Sequence, residues 1–352
     1  MTDKKILSGL MLIWFLMAGV YGQAQVKSFD FAGEAVSPGS KKSFMLPIIS
    51  GQDSTFIPVT VFHGADKGPV LTITAGVHGY EYPPIMAGQR LIKQLDPKQM
   101  SGTVLIVQVA NVAGFLGRSI NINPLDGKNL NREFPGKKDG TLTEQLAWTI
   151  ANQIIARSDY MIDVHAGDAY QDLRSYVGYY NYYKTPELSE KARQMAVNMG
   201  FDYVVQFGNT ESIDAPSIYC SREAIKRGIP AVDIECGRMG LAEEKYIQKI
   251  VSGLLSLTRH LGIMPGAPDK VENPVMIAQR TSIDAPETGI FYTEVSAGDY
   301  VKKGMKLGYL TDLFGEHITD IICPVDGFIL YNTTTPPTYK DDELFSIGHI
   351  KE

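Results

Sequence analysis

The stretch PVLTITAGVHGYEYPP, residues 69–84, decides how the first half of the chain is read. Val70 to Ala75 is a short run of β-formers bounded by Pro69 and Gly76, the pattern of a buried strand. His78 and Glu81 follow at once, with two residues between them. The next segment, EYPPIMAGQRLIKQLDP, reads as a helix with Pro83 and Pro84 near its start, where a missing N–H does least harm. Two candidate metal donors therefore sit in the turn between a strand and a helix.

The same alternation continues outward. GTVLIVQVAN reads as a second buried strand, and TLTEQLAWTIANQIIARSD as a helix. In that helix Thr141 and Glu144 have capping-box spacing, and Leu142, Leu146, Ile150 and Ile154 line one face. DYMIDVHAG and IPAVDIECG read as strands. TPELSEKARQMAVNMG and AEEKYIQKIVSGLLSLTRHLG read as helices, closed by Gly200 and Gly262. Strands alternating with helices of this length argue for an α/β layered domain with a largely parallel or mixed sheet. Ligands in such sheets bind where strands end and loops begin. His78, His165 and Glu235 all fall at such strand ends.

The 352 residues, 44% hydrophobic and 20% charged, suit a globular protein with one large domain and a smaller one. A net charge of −6 gives no basic surface for nucleic acid. Lys4 and Lys5 precede ILSGLMLIWFLMAGVY, and small residues Gly22 and Ala24 follow. This is the pattern of a secretory signal peptide cut after Ala24. The apolar run is short for a membrane span of ~20 residues. The expectation is an exported chain, periplasmic or secreted, with no stable membrane insertion. Cys220, Cys236 and Cys323 allow at most one disulfide, and three buried small hydrophobes is the favoured reading.

After MPGAPDKVENP (264–274) the helical pattern stops. APETGIF (285–291) and CPVDGFIL (323–330) repeat a Pro and a Gly at an offset of 38 residues, around AGDYVKKGMKLG. This resembles a small β-sandwich of the biotinyl/lipoyl type. Residues 307–323 contain no Lys for a swinging arm. An accessory wall or a surface for homo-oligomers is expected instead. The organisation read here is signal peptide 1–24, catalytic domain 25–265, linker 266–274 and C-terminal β domain 275–352.

Three further pieces carry chemistry. His165, in MIDVHAGD, is flanked by Asp163 and Asp168, either of which can orient an imidazole. NPLDGKNLNREFPG (123–136) holds Asn129, Asn131 and Arg132 close together, and an Asn-Arg pair can grip a carboxylate by charge-assisted contacts. Glu235 ends an apolar strand, where a partly desolvated carboxylate is suited to general-base work. A lone H-x-x-E binds nothing in most proteins. The combination carries the weight.

HGYE, NLNREFPG, DVHAGD and IECG, in that order, resemble the succinylglutamate desuccinylase/aspartoacylase family, over about residues 40–265. The resemblance implies a zinc carboxypeptidase-like mixed β-sheet flanked by helices. It implies one zinc ion per chain, with His78, Glu81 and His165 as ligands. Glu235 would be general base and acid, Asn131 and Arg132 would hold the substrate carboxylate, and Arg118 in FLGRSIN would polarise the carbonyl. Tyr179, Tyr180 and Tyr219 are candidate lining residues. The expected activity is hydrolysis of the amide of an N-acyl amino acid. An exported carboxypeptidase or amidase on cell-wall peptides is the first alternative, and a zinc- or ligand-binding protein without turnover the second.

Overall fold

The computed structural model describes residues 26–182, 184–208 and 217–350. The leader read at 1–24 lies outside them. Among the described residues no helix is long and apolar enough to cross a membrane.

The centre of the molecule is a mixed sheet. Asp66–Ala75 runs parallel to Ser101–Val107 on one side and to Tyr160–His165 on the other. Ala231–Glu235 continues the parallel run beside Tyr160–His165. Tyr176–Tyr180 then enters antiparallel to Ala231–Glu235 and parallel to Tyr203–Phe207. At the far edge the hairpin Ser40–Ser50/Asp53–His63 is joined antiparallel to Ser101–Val107.

Side chains alternate across a strand with period two, so each strand feeds two layers. Ile162, Val164, Val232 and Ile234 point to one face and pack with Ala87 and Leu91 of the helix Tyr82–Gln94 and with Ile247, Ile250 and Leu254 of Glu244–His260. Met161 and Ala231 point to the other face. There they meet Leu142, Leu146 and Ile150, and Ala224 of the helix Cys220–Lys226. On this second face the same strands turn polar towards their C-terminal ends: Asp163 and His165 on one, Asp233 and Glu235 on its neighbour. The helix Leu142–Thr149 begins where the capping-box spacing places it. Glu144 accepts the Thr141 backbone N–H at 2.8 Å.

The C-terminal β-strands are welded to this sheet. Val275–Asp284 pairs parallel with Tyr203–Phe207 and antiparallel with Glu343–Ile350. Gly327–Thr333 pairs with Glu343–Ile350 and with the short strand Gln171–Leu173, which follows His165. A second sheet, His317–Ile322, Lys306–Thr311, Gly289–Thr293 and Pro337–Thr338, closes over it. Phe291, Leu307, Leu310, Ile329 and Phe345 fill the space between. All three cysteines are free and buried.

Candidate active site

The strand Asp66–Ala75 ends at Gly76, whose φ of +68° turns the chain. His78 and Glu81 lie in the turn that follows, where the Glu81 N–H reaches the His78 carbonyl at 3.4 Å. Gly79 between them has no room for a side chain. A Cβ there would stand 2.1 Å from the Phe115 backbone nitrogen. His165 arrives from the end of its own strand. The donor atoms of His78, Glu81 and His165 lie within 4.8 Å of one another.

Both histidines face Glu81 through Nδ1. His78 Nδ1 is 2.7 Å from Oε1 and His165 Nδ1 is 2.9 Å from Oε2. Each commits Nε2 elsewhere: His78 to Asn129 Oδ1 at 3.2 Å, His165 to Asp163 Oδ2 at 2.9 Å. Of the two aspartates flanking His165 in sequence, Asp163 is therefore the one that orients it. Neither carboxylate oxygen of Asp168 has a hydrogen-bond partner among the described residues. Burial, then the nearby Glu81 charge, pushes its carboxyl up to about 7.

The electrostatics call for a cation. Burial works against a charge on Glu81, but the pull of His165 and then His78 prevails and lowers it to about 2. Burial also opposes a charge on His165, yet Asp163 and Glu81 raise its pKa well above the ordinary imidazole value. Two imidazoles, each oriented from behind by an acceptor, and a carboxylate are the donor set of a metal such as zinc. The residues fit the ion that the sequence motifs imply.

Glu235 stands in register with His165 on the adjacent strand. Burial raises its carboxyl to about 8, with Glu81 adding to the rise and His165 opposing it. Across the cavity Asn129 Oδ1 accepts the Asn131 backbone N–H at 2.8 Å. Asn131 Oδ1 accepts the Cys220 backbone N–H at 2.9 Å, and the Asn131 amide nitrogen lies 3.5 Å from His165 Nε2. Arg132 donates to the Asn131 carbonyl at 2.8 Å and lies over the Tyr219 ring at 4.8 Å. These side chains line one cavity of about 820 Å³.

Arg118 is not brought into this cavity. It is exposed at the end of the short helix Val112–Gly117, with φ at +51°, and its charge is felt by Tyr82. Tyr180 and Tyr219 line the cavity. Tyr179 does not, because the strand period turns it to the opposite face, where it joins the apolar core. Several lining residues escaped the sequence reading. Asp233 was legible, two positions before Glu235 on the same strand face. Phe207, Arg280, Tyr331 and Glu343 were not, because they reach the cavity through strand pairings far apart in sequence.

Comparison with known proteins agrees with this geometry. The sequence model of the succinylglutamate desuccinylase/aspartoacylase catalytic domain matches residues 67–261. The N-alpha-acetyl-L-2,4-diaminobutyric acid deacetylase of Halomonas elongata is 28% identical over 293 residues, covering 81% of this chain and 82% of that protein. The fold is similar to a succinylglutamate desuccinylase/aspartoacylase from Rhodobacter sphaeroides, with TM-score 0.80, 20% identity and coverage of 93% and 99%. It is also similar to the product-bound ectoine utilization protein EutE (DoeB) of Ruegeria pomeroyi, with TM-score 0.79, 22% identity and coverage of 88% and 95%. With a family match across more than half its length, the chain belongs to the succinylglutamate desuccinylase/aspartoacylase family of deacylases.

Proposed function

We propose that the chain is a zinc-dependent deacylase that hydrolyses the amide bond of an N-acyl amino acid. The observation that carries the reading is the convergence of His78, Glu81 and His165 in the same cavity as Glu235 and the Asn131–Arg132 pair. The Halomonas relative, named for an N-acetylated amino acid, supports the substrate class.

His78, Glu81 and His165 would hold the ion. When bound, zinc supplies Lewis acidity and makes water acidic enough to act as a nucleophile near neutral pH. Asn131 and Arg132 grip the substrate carboxylate through amide and guanidinium N–H groups, which sets the scissile amide against Glu235. Glu235 removes a proton from the attacking water. The C–O bond forms first, as the carbonyl π bond opens, and that π bond re-forms when the C–N bond breaks with proton delivery to nitrogen. Glu235 then returns the proton to the leaving amine, so acid and amine are released without net proton change at the residue. Arg118 is given no step, since it lies outside the cavity.

An exported location remains part of the proposal, supported by the charge and hydropathy pattern of residues 4–24. The mass of the mature chain from its native host tests it: an intact Met1 would refute export by cleavage.

The activity is tested by amine release from a pool of N-acyl amino acids, with chelator-treated protein as blank and metal content measured in parallel. Release that the chelator abolishes and zinc restores is the expected result. Absence of release from zinc-loaded protein overturns the reading.

A further inference from the structure

The segment 116–125 is apolar and uncovered. Its single charge is Arg118. Leu116 is 72% exposed, and Ile120, Ile122 and Leu125 are 39%, 41% and 42% exposed. None of the four joins an apolar core. Single exposed apolar side chains are ordinary, but a contiguous group marks a place where something binds. This group is contiguous because the segment folds back on itself. A Cβ on Gly117 would stand 3.2 Å from Pro124 Cγ, so the ends that carry Leu116 and Leu125 lie side by side.

The backbone ties this surface to the cavity. The Ile122 N–H reaches the Ile120 carbonyl at 2.7 Å, and Asn121 between them has φ at +59°. This is a tight three-residue turn, in a backbone region where asparagine is enriched. Asn121 lines the cavity and hydrogen-bonds Tyr170, which lines it too. Ile120 and Ile122 stay outside, on either side of Asn121. The Tyr170 backbone carbonyl accepts the Thr334 N–H at 2.8 Å and the Thr334 hydroxyl at 2.9 Å. A few residues on, Tyr339 also lines the cavity and is 74% exposed. Tyr170 therefore joins two sides of the opening, one carrying the isoleucines and the other Tyr339.

Continuity with the reaction site says what covers this rim. Tyr170 feels the charge of Asp168, and Asp168 feels those of Glu81 and His78, so the rim meets the metal donors from the side of Asp168. The carboxylate clamp meets them from another side, where Asn131 holds the Cys220 N–H. In an N-acyl amino acid the carboxylate hangs from the nitrogen side of the amide. A clamp on that carboxylate turns the acyl carbon away from it, towards the rim. The cavity of about 820 Å³ is of the size that encloses a drug-sized molecule, far more than an acetyl group needs. An alkyl tail laid over the rim removes two apolar surfaces from water at once.

Resting on the deacylase reading, we propose that residues 116–125 form an acyl-chain subsite and that the substrates are N-acyl amino acids with a medium-length or long alkyl acyl group. Ile120 and Ile122 hold the tail where it leaves the cavity, and Leu116 and Leu125 extend the surface for longer tails. One water is consumed, and a fatty acid and a free amino acid are released.

The test gives zinc-loaded protein three pools of the same amino acids, acylated with acetyl, hexanoyl or decanoyl groups and kept below their micelle concentrations. Each methylene buried at the rim should raise kcat/KM by about 2- to 4-fold, so the decanoyl substrates should exceed the acetyl ones by at least ~10-fold. In the I120S/I122S double variant the decanoyl-to-acetyl ratio should fall towards one, with the loss mainly in KM. A flat or falling dependence on chain length in the unmutated protein overturns the proposal, as does a ratio that survives in the double variant. A flat dependence together with vesicle binding or dimerisation that the double variant abolishes gives the rim to a membrane or to a second copy instead. If the double variant does not fold, L116S takes its place. If no chain length is hydrolysed, equilibrium dialysis of the same pools separates the two readings. Retention of decanoyl over acetyl compounds that the double variant loses keeps the subsite and removes the deacylase reading, while equal retention removes both.

Discussion

Asp163 Oδ2 stands 2.9 Å from His165 Nε2, and the two residues share the strand Tyr160–His165 with one residue between them. Period-two alternation puts both on the face that carries the site. The carboxylate fixes the ring so that Nδ1 looks at Glu81, and it makes the imidazole a stronger donor. Asp163→Asn keeps the shape and removes the charge. Metal affinity, read by chelator competition, should fall by ~10–100-fold. An unchanged affinity would leave Asp163 a packing residue.

Glu235→Gln separates binding from chemistry. The side chain is not among the clustered donors, so zinc content should stay at one per chain. The hydrolysis rate should fall by at least ~100-fold, the range of acid–base groups. The acidic limb of kcat/KM belongs to the same group. A base works when ionised, so activity rises with pH through its pKa. Burial raises the Glu235 carboxyl to about 8 in the metal-free protein, and a bound divalent cation favours the ionised form, so the limb of the loaded enzyme should lie below that value. Near-normal turnover of the variant would remove Glu235 from the mechanism.

Arg132 lies on Tyr219 and beside Asn131, an arrangement that holds its guanidinium ready for an anion. Arg132→Ala should reduce kcat/KM on substrates with a free carboxylate by ~10–100-fold. Substrates in which that carboxylate is an ester or amide should lose much less. Equal losses on both would assign Arg132 to loop structure.

The catalytic half of the molecule was legible because its chemistry is local. HGYE is a single turn, DVHAGD and IECG are strand ends, and NLNREFPG is one loop. Each motif announces its own strand, cap or turn, and alternating hydrophobicity fixes the sheet. Arg118 shows the limit. Its residue is exposed at the end of a short helix and is not among those that line the cavity, which the local sequence does not reveal. The wall was illegible for another reason. Tyr331 reaches the site because Gly327–Thr333 pairs with Gln171–Leu173, and no local pattern encodes a pairing across that much chain.

Gly79 explains why the H-x-x-E turn of this chain carries a glycine after its histidine. A Cβ would meet the backbone of Gly114 and Phe115 at 2.2 and 2.1 Å, and backbone cannot rotate away. Gly79→Ala should destabilise the fold by ~1–3 kcal/mol, as overpacking does. It should also weaken metal binding, because the turn that aims His78 and Glu81 must shift. Thermal unfolding and zinc titration read the two effects. A variant that unfolds normally and binds zinc normally would show that the helix Val112–Gly117 yields instead.

The raised pKa of Glu235 has a consequence for stability in the metal-free protein. The folded value is about 8 and the ordinary value is 4.5, so the folded chain holds this proton more tightly than the unfolded chain. Below the ordinary value both states are protonated and burial of the charge costs nothing. As pH rises between the two values the unfolded state ionises first, and stability falls until the folded state ionises as well. Glu235→Gln removes the titration. Its melting temperature should exceed that of the unmutated protein by more at about pH 9 than at about pH 5. The direction is diagnostic, because a carboxylate held by an ion pair would give the reverse. Equal differences at the two pH values would mean that Glu235 is ionised in the folded chain throughout, and that its fitness as a base does not come from burial.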